Sequence, residues 1–146
     1  AKDAVRLFDV IHSVDSLALL EVLGQQVAAQ RFDPSTRATP PMEILLQVNV
    51  SGESSKHGCR PEALEGLAEA AQRTPGLGLL GLMTLPPWTQ DPEQSRPHFR
   101  RLRELRDRLD AGLKLSMGMS GDFEVAVEEG ADFVRIGTAI FGTRDG

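Results

Sequence analysis

The feature that most limits the fold of this chain is a repeated alternation of short, nearly apolar runs with stretches of helical periodicity. Phe8 to Val14 is the first apolar run, closing on polar His12-Ser13-Val14-Asp15. Met42 to Val50, Leu77 to Leu85, Lys114 to Met119 and Asp132 to Ile136 follow, and Pro86-Pro87 stops the third. Between them the pattern predicts helices. Ser16 is placed as an N-cap before Leu17, Leu20, Leu23 and Val27, and Pro61 suits a first helical position. Asp91-Pro92 opens a helix to about Asp110, and Ser120 caps a short one that ends at Gly130. Asp33 to Pro41 and Ser51 to Arg60 are polar loops.

Strands that alternate with helices in this way run parallel and are joined by right-handed crossovers. Apolar residues along their whole length fit strands covered on both faces. An open doubly wound sheet and a closed (β/α) barrel both satisfy the pattern. No Gly-x-Gly-x-x-Gly follows any strand, so a dinucleotide-binding fold has no support. An eight-stranded barrel takes about 250 residues. The 146 residues here would supply five-eighths of one. Alone, such a piece has two open sheet edges and tends to aggregate unless paired. It begins in mid-pattern with Ala-Lys-Asp-Ala-Val-Arg-Leu and no initiator Met, as expected of a chain that starts inside a larger protein.

The net charge of −5 argues against nucleic acid, which demands a basic face. Arg100, Arg101, Arg103, Arg106 and Arg108 alternate with leucines and acids at helical spacing, the pattern of a solvated helix face. No apolar run reaches the roughly 18 residues of a membrane span, and no signal-peptide pattern opens the chain. A single cysteine, Cys59, excludes an intramolecular disulfide and fits a cytoplasmic setting. It lies just before a predicted helix, whose dipole could lower its pKa, but nothing near it in sequence reads as a base, so an incidental thiol is the preferred reading. His12, His57 and His98 lack metal-ligand spacing and are expected as polar surface or loop residues; no metal site is expected. With no tyrosine in the chain, no tyrosine acid or base is available.

In α/β folds the working groups gather at the C-terminal ends of the strands. His12, Ser13, Asn49, Ser51, Thr84, Ser120, Arg135, Gly137 and Thr138 all fall there. The most specific segments are Ser116-Met117-Gly118-Met119-Ser120-Gly121-Asp122 and Arg135-Ile136-Gly137-Thr138-Ala139-Ile140-Phe141-Gly142. Free backbone N–H groups at such turns, beside a hydroxyl and ahead of a helix, bind phosphate dianions, and glycine at 137 allows close approach. Many barrels bind phosphate after their seventh and eighth strands, where these motifs would lie. Arg135 interrupts an apolar strand, so it must point at water, an anion or a buried acceptor. Beside a phosphate it could instead donate to a ring nitrogen. A guanidinium gives up no proton, so it would keep a pyridine nitrogen unprotonated and weaken the electron-sink chemistry of pyridoxal enzymes.

Five motifs in order carry a resemblance. They are Ile11 to Ser16, Gln47 to Gly58, Gly81 to Thr84, Leu115 to Ser120 and Val134 to Gly142. Together they resemble the successive signatures of the pyridoxal 5'-phosphate (PLP) homeostasis protein family. The resemblance implies a barrel like the N-terminal domain of alanine racemase, with residues 1–146 as one α/β domain made of the C-terminal five units of a (β/α)8 barrel, the first three missing. It implies PLP held as a Schiff base, the phosphate on Ser120, Gly137 and Thr138, and Arg135 facing the pyridine nitrogen. It implies a cytoplasmic monomer that carries, buffers and delivers PLP to PLP-dependent apoenzymes, with no established catalysis and no catalytic residue. Leu85 aligns where the racemase has a ring-stacking histidine. The family's Schiff-base lysine, in its first strand, has no counterpart here. Of the lysines Lys2, Lys56 and Lys114, only Lys56 follows a strand end. The chain is thus expected to keep the phosphate cup without the covalent anchor. The alternatives are an amino-acid racemase or another phosphate-binding barrel enzyme, which would need a base on each face of the substrate, and a piece that works only by pairing with another.

Overall fold

The computed structural model describes residues 1–30, 41–53 and 57–142. Its strands are β1 (Val10–Val14), β2 (Met42–Gln47), β3 (Leu77–Met83), β4 (Lys114–Met119) and β5 (Phe133–Arg135). They form one parallel sheet in sequence order, a curled half-barrel. The helices are α1 (Lys2–Leu7), α2 (Leu17–Gln30), α3 (Leu64–Arg73), α4 (Arg96–Leu109), α5 (Phe123–Glu128) and α6 (Thr138–Phe141). One turn of 3₁₀ helix leads into α3 and another into α4. Asp91 accepts from the Glu93 amide at 3.0 Å and starts the second of these.

Side chains three and four apart put one stripe of each helix on the sheet. Leu20, Leu23 and Val27 of α2, Leu64, Leu67, Ala68 and Ala71 of α3, and Phe99, Leu102 and Leu105 of α4 are buried. They join Met42, Ile44, Leu46, Leu82, Leu115 and Met117 from the strands in one core. Burying each large side chain contributes about 1.5–3 kcal/mol, so this helix-covered face holds the fold. Strand residues alternate between faces, so Gln47 and Ser116 turn the other way, and both are buried polar residues. Gly81 sets the spacing of β3 and β4, since an added Cβ would stand 2.1 Å from the Lys114 carbonyl oxygen.

The arginine run departs from a purely solvated face. Arg96, Arg100 and Arg103 converge on the carboxylate of Glu129, whose side chain is 5% exposed, at 3.2, 2.9 and 3.0 Å. Arg106 donates to the Leu113 carbonyl at 2.9 Å, while Arg101 and Arg108 keep to the surface. The reason is tertiary: α5 delivers Glu129 to the flank of α4. The Arg100 hydrogen bond, aided by Arg96 and Arg103, holds the Glu129 carboxyl below the usual carboxylate range against the opposing effect of burial. Helix α1 was not anticipated. It is six residues long, has no side-chain cap and buries only Val5, so its periodicity is too short to register.

Candidate functional site

The site is built on the turns after β4 and β5. Gly118 has φ of +95°, and an added Cβ would meet the Ala126 Cβ at 2.6 Å. Only glycine allows β4 to turn directly beneath α5. Asp122 then closes the turn, its carboxylate accepting from the Met119 amide at 2.8 Å. This leaves Ser120 free of α5, where the sequence predicts it as a cap. Its Oγ instead accepts from the amides of Gly137 at 3.1 Å and Ala139 at 3.2 Å. Two backbone N–H groups of one turn therefore aim at a single oxygen on the neighbouring turn.

Ser120, Gly137 and Thr138 line a cleft of about 770 Å³. Pro86-Pro87-Trp88-Thr89 and Phe141 line it as well. Trp88 and Phe141 are 82% and 84% exposed. Sequence reasoning missed both aromatics, although a tryptophan straight after the proline stop of β3 falls at a strand's C-terminal end. An added Cβ on Gly137 would meet nothing within 4 Å, so the cleft is open at this residue. Helix α6 has four residues, too short for a macrodipole of consequence, and the donors that matter are the individual amides. Asp122 also lines the cleft, but its carboxylate is engaged with Met119.

Arg135 lies on β5 beside this cleft without lining it. Of the options open from sequence, its guanidinium takes buried acceptors: the Ser116 hydroxyl at 2.6 Å and the Thr84 carbonyl at 2.8 Å. Thr84 is held in turn by donating to the Val48 carbonyl at 2.9 Å. Burial lowers the Arg135 pKa and the charge of Asp122 partly offsets this; the group stays a cation. A guanidinium carries five N–H donors, so donors beyond these two hydrogen bonds remain for a further acceptor. His12, expected on the surface or in a loop, is half-buried. Its Nδ1 lies 3.0 Å from Ser116 Oγ, and its ring meets Phe133 edge-on at 5.7 Å. The available signal was its place at the end of β1, level with the other polar strand ends.

Other candidates fall away from the cleft. Asn49 folds its own loop, its Oδ1 accepting from Ser51 Oγ and the Gly52 amide. Cys59 is buried rather than poised at a helix end, and burial, with Asp15 nearby, pushes its thiol up to about 11. That removes it as a nucleophile. Leu85 is 40% exposed. Lys114 opens β4 at the far end from Ser120 and pairs with Asp132 at 3.3 Å. Lys56 lies outside the described residues. No described helix is long and apolar enough to cross a membrane.

Residues 1–145 match the family model described as alanine racemase, N-terminal domain. The chain is 50% identical over 139 residues to a pyridoxal phosphate homeostasis protein of Pseudomonas aeruginosa, covering 94% of this chain and 57% of the relative. It is 53% identical over 140 residues to the protein of the same name from Aquifex aeolicus, covering 92% of this chain and 58% of the relative. It therefore spans less than two thirds of the length of these curated relatives. Among solved structures, PipY of Synechococcus elongatus with PLP bound superposes with a TM-score of 0.79 at 31% identity, over 97% of this chain and 64% of PipY.

Proposed function

From the premise that the chain belongs to the alanine racemase N-terminal domain family and is similar to its pyridoxal phosphate homeostasis members, we propose that it binds PLP and serves in PLP homeostasis. In this reading Ser120, Gly137 and Thr138 take the phosphate and Arg135 faces the ring nitrogen. The observation that carries it is the convergence of the Gly137 and Ala139 amides on Ser120 Oγ, at the wall of a cleft that can admit a ring. An oxyanion oxygen competes well for N–H groups already aimed at an oxygen, and charge strengthens such bonds.

The residues fit the cofactor at its phosphate and ring-nitrogen ends. PLP supplies an aldehyde that condenses with amines and a ring that stabilises carbanions. The protein's part is to hold the phosphate, leave the aldehyde accessible and keep the ring poor as an electron sink. Arg135 does the last, because a guanidinium donates to a ring nitrogen without protonating it. Carrying and buffering rather than catalysis is the role that this weakness supports. The same reading makes residues 1–146 a single domain formed by five units of an eight-unit barrel. It makes the whole protein a cytoplasmic monomer whose recipients are PLP-dependent apoenzymes.

The test is a PLP titration followed in the visible region, with borohydride trapping and peptide mass mapping. The expected result is saturable uptake of PLP, much weaker uptake of pyridoxal, and no adduct on Lys2 or Lys114. Equal uptake of PLP and pyridoxal, or racemisation of L-alanine on adding PLP, would overturn the reading.

A further inference from the structure

Beneath the cleft the polar side chains His12, Ser116 and Arg135 form a chain across the sheet from β1 through β4 to β5. Ser116 is 0% exposed, so its hydroxyl must find its partners inside the protein. Arg135 has donors only and no acceptor, so at 2.6 Å the hydroxyl oxygen accepts from Nη1. The hydroxyl then has one proton to place. Among the described residues its other hydrogen-bond partner is His12 Nδ1, at 3.0 Å.

Two arrangements are possible there. If Nδ1 carried a proton, the two N–H donors would take both lone pairs of the oxygen and the serine proton would be buried without an acceptor. An orphaned buried donor costs about 1–3 kcal/mol. If Nδ1 is bare, Ser116 donates to it and all three groups are satisfied. The ring must then be neutral and protonated on Nε2.

From this geometry we infer that His12 is a positioning residue: as the neutral Nε2–H tautomer it accepts from Ser116 and so fixes the oxygen that holds Arg135. Burial, and then the nearby charge of Arg135, lower the His12 pKa, which favours the neutral ring. Arg135 is the charged group that faces it, and the other contact is the uncharged edge of Phe133. The inference rests on the reading above only in the use that reading makes of Arg135.

Long-range proton–nitrogen NMR of the unliganded chain tests the tautomer directly. A bare Nδ1 with a protonated Nε2 is expected, and a protonated Nδ1 would overturn the inference. Solvent exchange of the Arg135 side-chain N–H gives the second readout. His12→Phe keeps the ring's bulk but removes the acceptor, and exchange should quicken about tenfold, the weight of one hydrogen bond. His12→Asn offers an amide oxygen in the place of Nδ1, and exchange should stay within about twofold. A residue that merely packs would give the reverse order, with Phe harmless and Asn disruptive, and that order would also overturn the inference. Should His12→Phe fail to fold, Ser116→Ala cuts the same chain at its middle and should quicken exchange likewise; unchanged exchange there counts against the idea. None of these readouts uses PLP. A chain that takes up no PLP would therefore count against the cofactor reading alone.

Discussion

Gly137→Ala separates folding from binding at the cleft. The residue has φ of −123°, outside the left-handed region, and an added Cβ would meet nothing within 4 Å. The methyl group therefore forces no neighbour aside. Replacing glycine by alanine where the native backbone tolerates it stabilises by about 0.4–1 kcal/mol, through lost freedom in the unfolded chain. The variant should melt close to wild type. Binding, by contrast, should fall. Gly137 lines the cleft, so a methyl group added there is expected to keep a phosphate oxygen from its N–H. A hydrogen bond to a charged partner is worth about 1.5–3 kcal/mol, which is about a 10- to 150-fold loss of affinity. Equilibrium dialysis against PLP and against pyridoxal reads the effect. PLP binding should fall by that factor while pyridoxal binding barely moves. A variant that binds PLP like wild type, or that loses both ligands equally, would refute the placement of the phosphate at Gly137.

Gly81→Ala should damage the fold itself. Its Cβ would stand 2.1 Å from the Lys114 carbonyl oxygen, and backbone cannot swing aside like a side chain. A loss of about 3 kcal/mol is expected, read as a lower urea midpoint; an unmoved midpoint would mean that β3 and β4 are not so closely paired. Glu129 gives stability an acid dependence. Its folded pKa lies below the ordinary carboxylate range, so its contribution is present above that range and is lost as pH falls through the folded value. Glu129→Gln should therefore be less stable than wild type at neutral pH, and the gap should close in acid. A gap independent of pH would show that the arginine cluster does not depend on the charge.

The architecture was legible because it is written in periodicity. The fourth strand, Lys114 to Met119, was predicted to the residue, since nothing local competes with its apolar run. The second was predicted to Val50, but its ladder ends at Gln47, because Asn49 diverts the chain into a side-chain-closed turn. Local patterns also placed Ser120, Gly137 and Thr138 at adjacent strand ends. They did not reveal that Ser120 bonds across to the β5 turn rather than to its own helix. The partners of Arg135, the burial of His12 and the cluster around Glu129 were illegible for one reason. Each contact joins residues at least 19 positions apart, and no periodicity encodes such a distance.

The grip of Arg135 on Thr84 and Ser116 has a mechanical consequence for the exposed edge of the sheet. β5 is three residues long and meets β4 at two register points, Phe133 opposite Ser116 and Arg135 opposite Met119. At the Phe133 end the ladder is backed by the preceding Asp132, whose carboxylate accepts from the Leu115 amide at 2.8 Å and pairs with Lys114, and by the edge contact of Phe133 with His12. At the Arg135 end one planar group is bolted to both β3 and β4 through two charge-assisted bonds acting in parallel. The short strand is therefore pinned by side chains at both ends, and at the cleft end one residue ties the floor to two neighbouring strands at once.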